Sequence, residues 1–179
     1  MTSRELVLVT HRWLGLSSSV VLAIVGLTGA GLIWPSTSLL RRISGRLHEE
    51  LGLGGLGFWL VVWATVAAVL LELGGVVLWW KRKALAVQTR SGWWRALADF
   101  HHPAGVILAP LMLILSVTGV GMAFVTPDNY PNLRDVIFRL HTTRDYSTFV
   151  KLLYLLGTLG FMAQGVTGVV MWWRRRRRR

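Results

Sequence analysis

Four predominantly apolar stretches, 12 to 34, 57 to 80, 102 to 125 and 149 to 173, leave this chain few choices. Each is long enough to cross a hydrocarbon core of about 30 Å, which takes about 20 apolar helical residues. Lipid offers no partners to backbone N–H and C=O groups, so each stretch is predicted to satisfy them internally as a helix. Composition agrees, since 53% of the 179 residues are hydrophobic and ten are Trp, a balance wrong for a soluble domain. The expected fold is an all-α membrane protein, one transmembrane domain over residues 1 to 179 with four spanning helices. The first stretch has no small-residue cleavage site after its apolar core and is expected to stay as an anchor.

A net charge of +12 raises a nucleic-acid partner, but the cations flank the helix ends, where basic residues set orientation. With the N-terminus inside, thirteen Lys and Arg fall on the cytoplasmic side, including Arg4, Arg12, Lys81 to Lys83 and Arg174 to Arg179, and seven fall on the other. Both termini are therefore expected in the cytoplasm, with membrane lipid as the partner of the terminal arginines and no nucleic acid. The absence of cysteine excludes disulfides, Cys-ligated iron-sulfur clusters and covalent c-type haem.

Along the chain, Thr10 is read as the cap of the first helix and Trp34-Pro35 as its end. Leu40, Ile43 and Leu47 recur at helical spacing and predict a short amphipathic helix on the membrane surface, and Gly52, Gly54, Gly55 and Gly57 a flexible lead into the second span. Trp79-Trp80 and Met171-Trp172-Trp173 precede basic runs as interfacial aromatics, and Trp93-Trp94 in the inner loop is placed at headgroup level. Pro103 is expected in the first turn of the third helix and Pro110 at a kink. Residues 126 to 131 read as a turn-rich loop.

The chemistry-bearing residues recur. His11, Gly15, Thr28 and Gly29 reappear ninety positions later as His101, Gly105, Thr118 and Gly119, and the interval from His48 to Trp79 equals that from His141 to Trp172. Two tandem two-helix repeats, 11 to 83 and 101 to 175, follow from this. His11 and Gly29 are five turns apart and share a helix face, separated by about 27 Å of rise. His101, Gly105 and Gly119 share a face in the same way. Glycines on such a face either bring helices close or leave room for a flat macrocycle against the backbone. If the repeats are related by an axis along the membrane normal, His11 faces His101 at the inner side and His48 faces His141 at the outer side. Opposed imidazoles suit six-coordinate haem iron, which the protein tunes through ligand, burial and hydrogen bonds.

Blander readings stand beside these. A lone interfacial histidine is ordinarily a polar anchor, His102 is matched by Arg12 and is read so, and Thr28 and Thr118 can simply bond their own helix carbonyls. Glu72 is the one acidic residue inside an apolar span, a costly placement that makes it a candidate proton site or a partner of a ligand histidine. Its repeat counterpart is Gly165, beside Gln164.

At these residues the sequence resembles the PepSY-associated transmembrane helix family of bacterial inner-membrane proteins, in its short members without soluble domains. His11-Arg12-Trp13-Leu14-Gly15 with Thr28-Gly29 is similar to the family's first helix, and Asp99-Phe100-His101-His102 with Gly105 and Thr118-Gly119 to its third. Leu47-His48 and Leu140-His141, with the segments ending at Trp80 and Trp173, are similar to the even-numbered helices. The resemblance implies b-type haem bound by helix-end histidines, in a protein related to haem-bearing reductases of ferric siderophores; with the opposed histidine pairs, two haems are expected. Residues 35 to 56 and 125 to 148 are too short for the folded periplasmic domains of the larger relatives. No flavin or nicotinamide motif is present, so the implied electron donor is a quinone or a protein, and the implied acceptor a periplasmic ferric species or partner.

The expected function is thus a membrane cytochrome b, an electron-transfer subunit or oxidoreductase of a ferric-reductase-like system. His11, His101, His48 and His141 are the axial ligands, and Gly15, Gly29, Gly105 and Gly119 lie against the haems. The outer arginines, Arg134 among them, are candidates for haem propionates. Two alternatives are a haem-free assembly subunit and a metal-handling protein that uses His48 and His141 with Glu49 or Glu50.

Overall fold

The computed structural model describes residues 2–34, 37–80, 93–143 and 145–177. It contains α1 (Ser3–Leu32), α2 (Ser38–Glu50), α3 (Gly55–Trp80), α4 (Trp93–Phe124), α5 (Pro131–Thr142) and α6 (Thr148–Arg176), with no strand among the described residues. Four helices are long and apolar enough to cross a membrane: α1, α3, the part of α4 from Asp99 to Phe124, and α6. They pack in a ring in which α1 touches α3 and α6, and α4 touches the same two. The short α2 lies on α1 and α3, and α5 on α4. Both short helices lie at the bundle end away from the chain termini.

The ring closes tightly because its inward faces carry small residues. Ser18, Ala64, Ala67, Ala68, Ala109 and Ser116 are all buried, and a Cβ added at Gly160 would stand 2.7 Å from Leu108 Cδ1 across the α4–α6 interface. In lipid, helices associate through such close backbone approach, because burial of apolar surface gives no advantage over lipid tails. The large side chains point outward instead, as Val20, Ile107, Leu156 and Val166 do.

Several boundaries differ from the expectation. α1 starts at Ser3, not after Thr10, because Thr2 and Glu5 form a capping box: Thr2 N–H donates to Glu5 Oε2 at 2.7 Å and Glu5 N–H to Thr2 Oγ1 at 3.3 Å. His11 consequently sits two turns inside a helix. α4 begins at Trp93, so Pro103 lies in the helix interior with Pro110. The basic loop residues Lys81 to Arg90 and the side chains of Trp93 and Trp94 lie outside the described residues. α2 forms where the amphipathic spacing predicts it, capped by the Thr37 side chain, which accepts from Leu40 N–H.

The glycines after α2 build a tight turn and not a loose lead-in. Leu51, Gly52 and Gly54 all have left-handed φ, and a Cβ at Gly57 would lie 1.7 Å from the Glu50 carbonyl oxygen. The segment read as a loop continues into α5, which starts with Pro131 at its first turn. Two bonds fix α5 in place: Arg134 Nη1 donates to the Met122 carbonyl of α4, and Tyr154 of α6 donates to the Leu140 carbonyl. At the C-terminus Arg176 and Arg177 stack over Trp172 and Trp173, 5.5 and 5.0 Å from the ring centres, contacts of cation–π type.

Candidate functional site

The histidines form two groups at opposite ends of the ring. At the end carrying α2 and α5, His48 and His141 meet with ring centres 6.0 Å apart and a 45° tilt. α2 and α5 are distant in sequence, but each folds back over the helix that precedes it and presents its histidine to the bundle. The glycines of the preceding helices make this possible. A Cβ at Gly29 would lie 3.0 Å from His48 Cε1, and one at Gly119 would lie 3.3 Å from His141 Cε1. These two glycines therefore seat the imidazoles of His48 and His141.

Hydrogen bonds fix the tautomer of this pair. His48 Nδ1 is 2.9 Å from the Val25 carbonyl, which can only accept, so Nδ1 carries the hydrogen and Nε2 the lone pair. Thr28 Oγ1 lies 3.4 Å from the same nitrogen. His141 Nδ1 is 3.0 Å from Thr118 Oγ1. The Thr118 hydroxyl donates to the Ile114 carbonyl at 2.5 Å, so its oxygen accepts from His141. Thr28 and Thr118 thus bond their own helix carbonyls and orient a histidine as well. Burial pushes the His48 imidazole below its usual range. Burial first, then the neighbouring His48 and the Arg134 guanidinium, push His141 down to about 4. Burial thus favours the neutral form of both rings.

At the other end, His11 and His101 line one cavity of about 390 Å³ that opens between the four spanning helices. They come from α1 and α4, which face each other across the ring. Each ring lies against glycines of the next helix: a Cβ at Gly74 or Gly75 would stand 3.6 Å from His11, and one at Gly168 3.7 Å from His101 Cε1. His101 Nδ1 is 2.6 Å from Thr167 Oγ1. Thr167 gives its hydrogen to the Ala163 carbonyl, so His101 also carries its proton on Nδ1. His11 Nδ1 is buried without a hydrogen-bond partner. Gly74 occupies the place that Thr167 has in the second half, so His11 lacks the hydroxyl that His101 has. His102, exposed, packs edge-on against His101 with ring centres 5.8 Å apart and also lines the cavity.

The cavity walls combine apolar side chains, Leu8, Leu22, Val106 and Phe161 among them, with a basic mouth of Arg4, Arg12 and Arg175. Gly15 and Gly105 line it too, and a Cβ added at Gly105 would stand 3.3 Å from Gln164 Oε1. Four buried side-chain atoms without a hydrogen-bond partner belong to residues on this wall: His11 Nδ1, Glu72 Oε2, Trp79 Nε1 and Gln164 Nε2. Glu72 Oε1 accepts from the Ser116 hydroxyl at 3.0 Å. Buried polar groups are ordinarily paired, so this wall is where unpaired polar atoms concentrate among the described residues.

Sequence reasoning placed all four histidines at the two ends where they are found, and it missed Thr167, Ser116 and the role of Gln164. Their partners lie far away in sequence, and only the helix ring brings them together. Among the described residues no group of three or more His, Cys, Asp or Glu converges. The divalent-ion set of His48 and His141 with Glu49 or Glu50 is therefore not assembled, because the two carboxylates do not join the histidine pair.

The profile of the family described as PepSY-associated TM region matches residues 34–131, more than half of the chain. That segment holds His48, Glu72 and His101. No curated protein and no solved structure matches the chain.

Proposed function

The chain belongs to the PepSY-associated TM family, and from that premise we propose that this multi-pass membrane protein is a b-type cytochrome with two bis-histidine haems. His48 and His141 hold the outer haem, and His11 and His101 the inner one. The observation that carries the reading is the shared tautomer. His48, His101 and His141 each commit Nδ1–H to a carbonyl or hydroxyl acceptor, which leaves Nε2 as a bare lone pair. Ligand histidines are oriented in this way.

The residues fit the group. His48 and His141, with ring centres 6.0 Å apart and Nδ1 committed on each, would hold the outer group through Nε2. The inner cavity of about 390 Å³ falls within the range of about 300–1,000 Å³ that suits a cofactor. It offers apolar walls to a macrocycle, while Arg4, Arg12, Arg175 and the orphan Trp79 N–H at its mouth suit carboxylate side groups.

Bound haem supplies a one-electron couple. The protein's own residues set its conditions: burial excludes water, the Nδ1–H bonds raise ligand basicity, and Gly29, Gly119, Gly75 and Gly168 hold the rings in place. His48 with His141 and His11 with His101 would hold one such group towards each end of the bundle, and the pair would supply a path for electrons across the bacterial inner membrane. The charge bias supports both termini in the cytoplasm, and the pairing of one histidine from each half supports halves related by an axis along the membrane normal. A quinone or protein is the donor, and a periplasmic ferric species or protein the acceptor. Protein purified from haem-replete cells is expected to show a Soret band and a dithionite-induced α-band. A colourless preparation would return the chain to the class of haem-free assembly subunits.

A further inference from the structure

We propose that Glu72 is a redox-linked proton site, which takes up one proton from the aqueous mouth of the inner cavity each time the inner haem accepts an electron. The proposal rests on the haem reading above and adds a second function to the same cavity.

Glu72 is only 7% exposed, in the middle of a spanning helix. Among the described residues no cation forms a salt bridge with it; its one hydrogen bond runs to Ser116 and to neither histidine. That bond is shared, because the single Ser116 hydrogen also faces the Met112 carbonyl at 2.8 Å. Oε2 has no partner and belongs to the cavity wall. A carboxylate so placed lacks the compensation that a buried charge requires. The charged and titratable groups on the same wall are Arg4, His11 and Arg12 of α1, Asp99, His101 and His102 of α4, and Arg175 of α6. Among the described residues none of these cations forms a salt bridge with Glu72. Arg4, Asp99, Gln164 and Glu72 belong to the same cavity wall, so polar side chains beside a bound macrocycle serve Glu72 as its way to water.

A ferric centre between two neutral imidazoles carries one net positive charge, counting the dianionic macrocycle, and that charge holds Glu72 ionised. An electron from a one-electron donor cancels it. Glu72 then gains an O–H bond at Oε2, so one electron and one proton enter together and the net charge of the site is unchanged. On reoxidation both leave. The second half of the chain has Gly165 at the corresponding place, so the device serves the inner centre alone.

The test is a spectroelectrochemical titration of the detergent-purified holoprotein through soluble mediators at several pH values. Full coupling changes the reduction equilibrium tenfold per pH unit, which is 59 mV per pH unit for one electron. One of the two haem potentials is expected to fall with pH in the unmodified protein and in Glu72→Asp. Glu72→Gln is expected to flatten that slope with haem content unchanged. Reduced-minus-oxidised infrared spectra provide an independent readout: a protonated-carboxyl band gained on reduction and missing from Glu72→Gln. A slope or band that survives in Glu72→Gln overturns the proposal and leaves the haem reading intact. A colourless preparation overturns both.

Discussion

Gly29→Ala separates seating an imidazole from merely packing helices. The added Cβ would stand 3.0 Å from His48 Cε1. Carbon atoms in contact settle at about 3.5–4.0 Å, so the ring has to retreat by about 0.5 Å. The His48 Nδ1–Val25 bond, 2.9 Å long, then passes the upper limit of about 3.2 Å for N–H···O bonds. A typical hydrogen bond contributes about 1 kcal/mol net. Replacing Gly by Ala inside a helix returns about 0.8–1.0 kcal/mol. The two terms cancel, and fold stability is expected to stay within about 1 kcal/mol of the parent. Haem affinity is not protected by that cancellation: loss of a partner that orients a ligand histidine costs about 10–100-fold. The assay is haem retention under dilution, followed by the reduced-minus-oxidised spectrum, alongside a detergent thermal melt. The outer haem should be lost selectively while the melt is unchanged. Gly45→Ala, where a Cβ meets nothing within 4 Å, is the control and should keep both haems. Equal retention by Gly29→Ala and the parent would refute the reasoning.

Other outcomes follow from the same contacts. Thr167→Val removes the acceptor of His101 Nδ1–H, and the inner haem is expected to weaken about 10–100-fold in the same dilution assay, with the outer one unaffected. Gly57→Ala drives a Cβ to 1.7 Å from the Glu50 carbonyl oxygen, so the α2–α3 turn must open; the thermal midpoint should fall by the equivalent of about 1–3 kcal/mol. Haem-free protein should also respond to acid. His48 and His141 titrate lower when folded than the usual unfolded value of about 6.5. The unfolded state then binds more protons, and stability is fully present above about 6.5 and declines as pH falls towards the His141 value of about 4. Denaturant titrations across that window measure it, and a flat profile would contradict the burial of the pair.

What the sequence disclosed follows the physics that acts locally. The bilayer fixes span lengths, so all four long helices were legible from hydropathy alone. α2 was legible because Leu40, Ile43 and Leu47 keep helical spacing. The Thr2-Ser3-Arg4-Glu5 capping box was equally readable, yet the apolar run drew attention to Thr10. α5 was hidden behind the turn residues Thr126 to Pro131, although Pro131 itself marks a helix start and Leu133, Ile137 and Leu140 carry the period. Phase along one helix correctly put His11 and Gly29 on a common face. It did not show that Gly29 receives His48, because that contact depends on how α2 folds back over α1. The Glu72–Ser116 bond spans two helices for the same reason, and no local pattern encodes it.

The central claim, two haems each held by one histidine from either half, is tested most directly by haem stoichiometry in single and double histidine variants. The parent should bind two haems per chain. His48→Ala, His141→Ala and the double variant of these two should each retain one, with the same remaining spectrum, and His11→Ala and His101→Ala should retain the other. Loss of both haems from the His48→Ala, His141→Ala double variant, or loss of the same haem from His11→Ala and His48→Ala, would contradict the account.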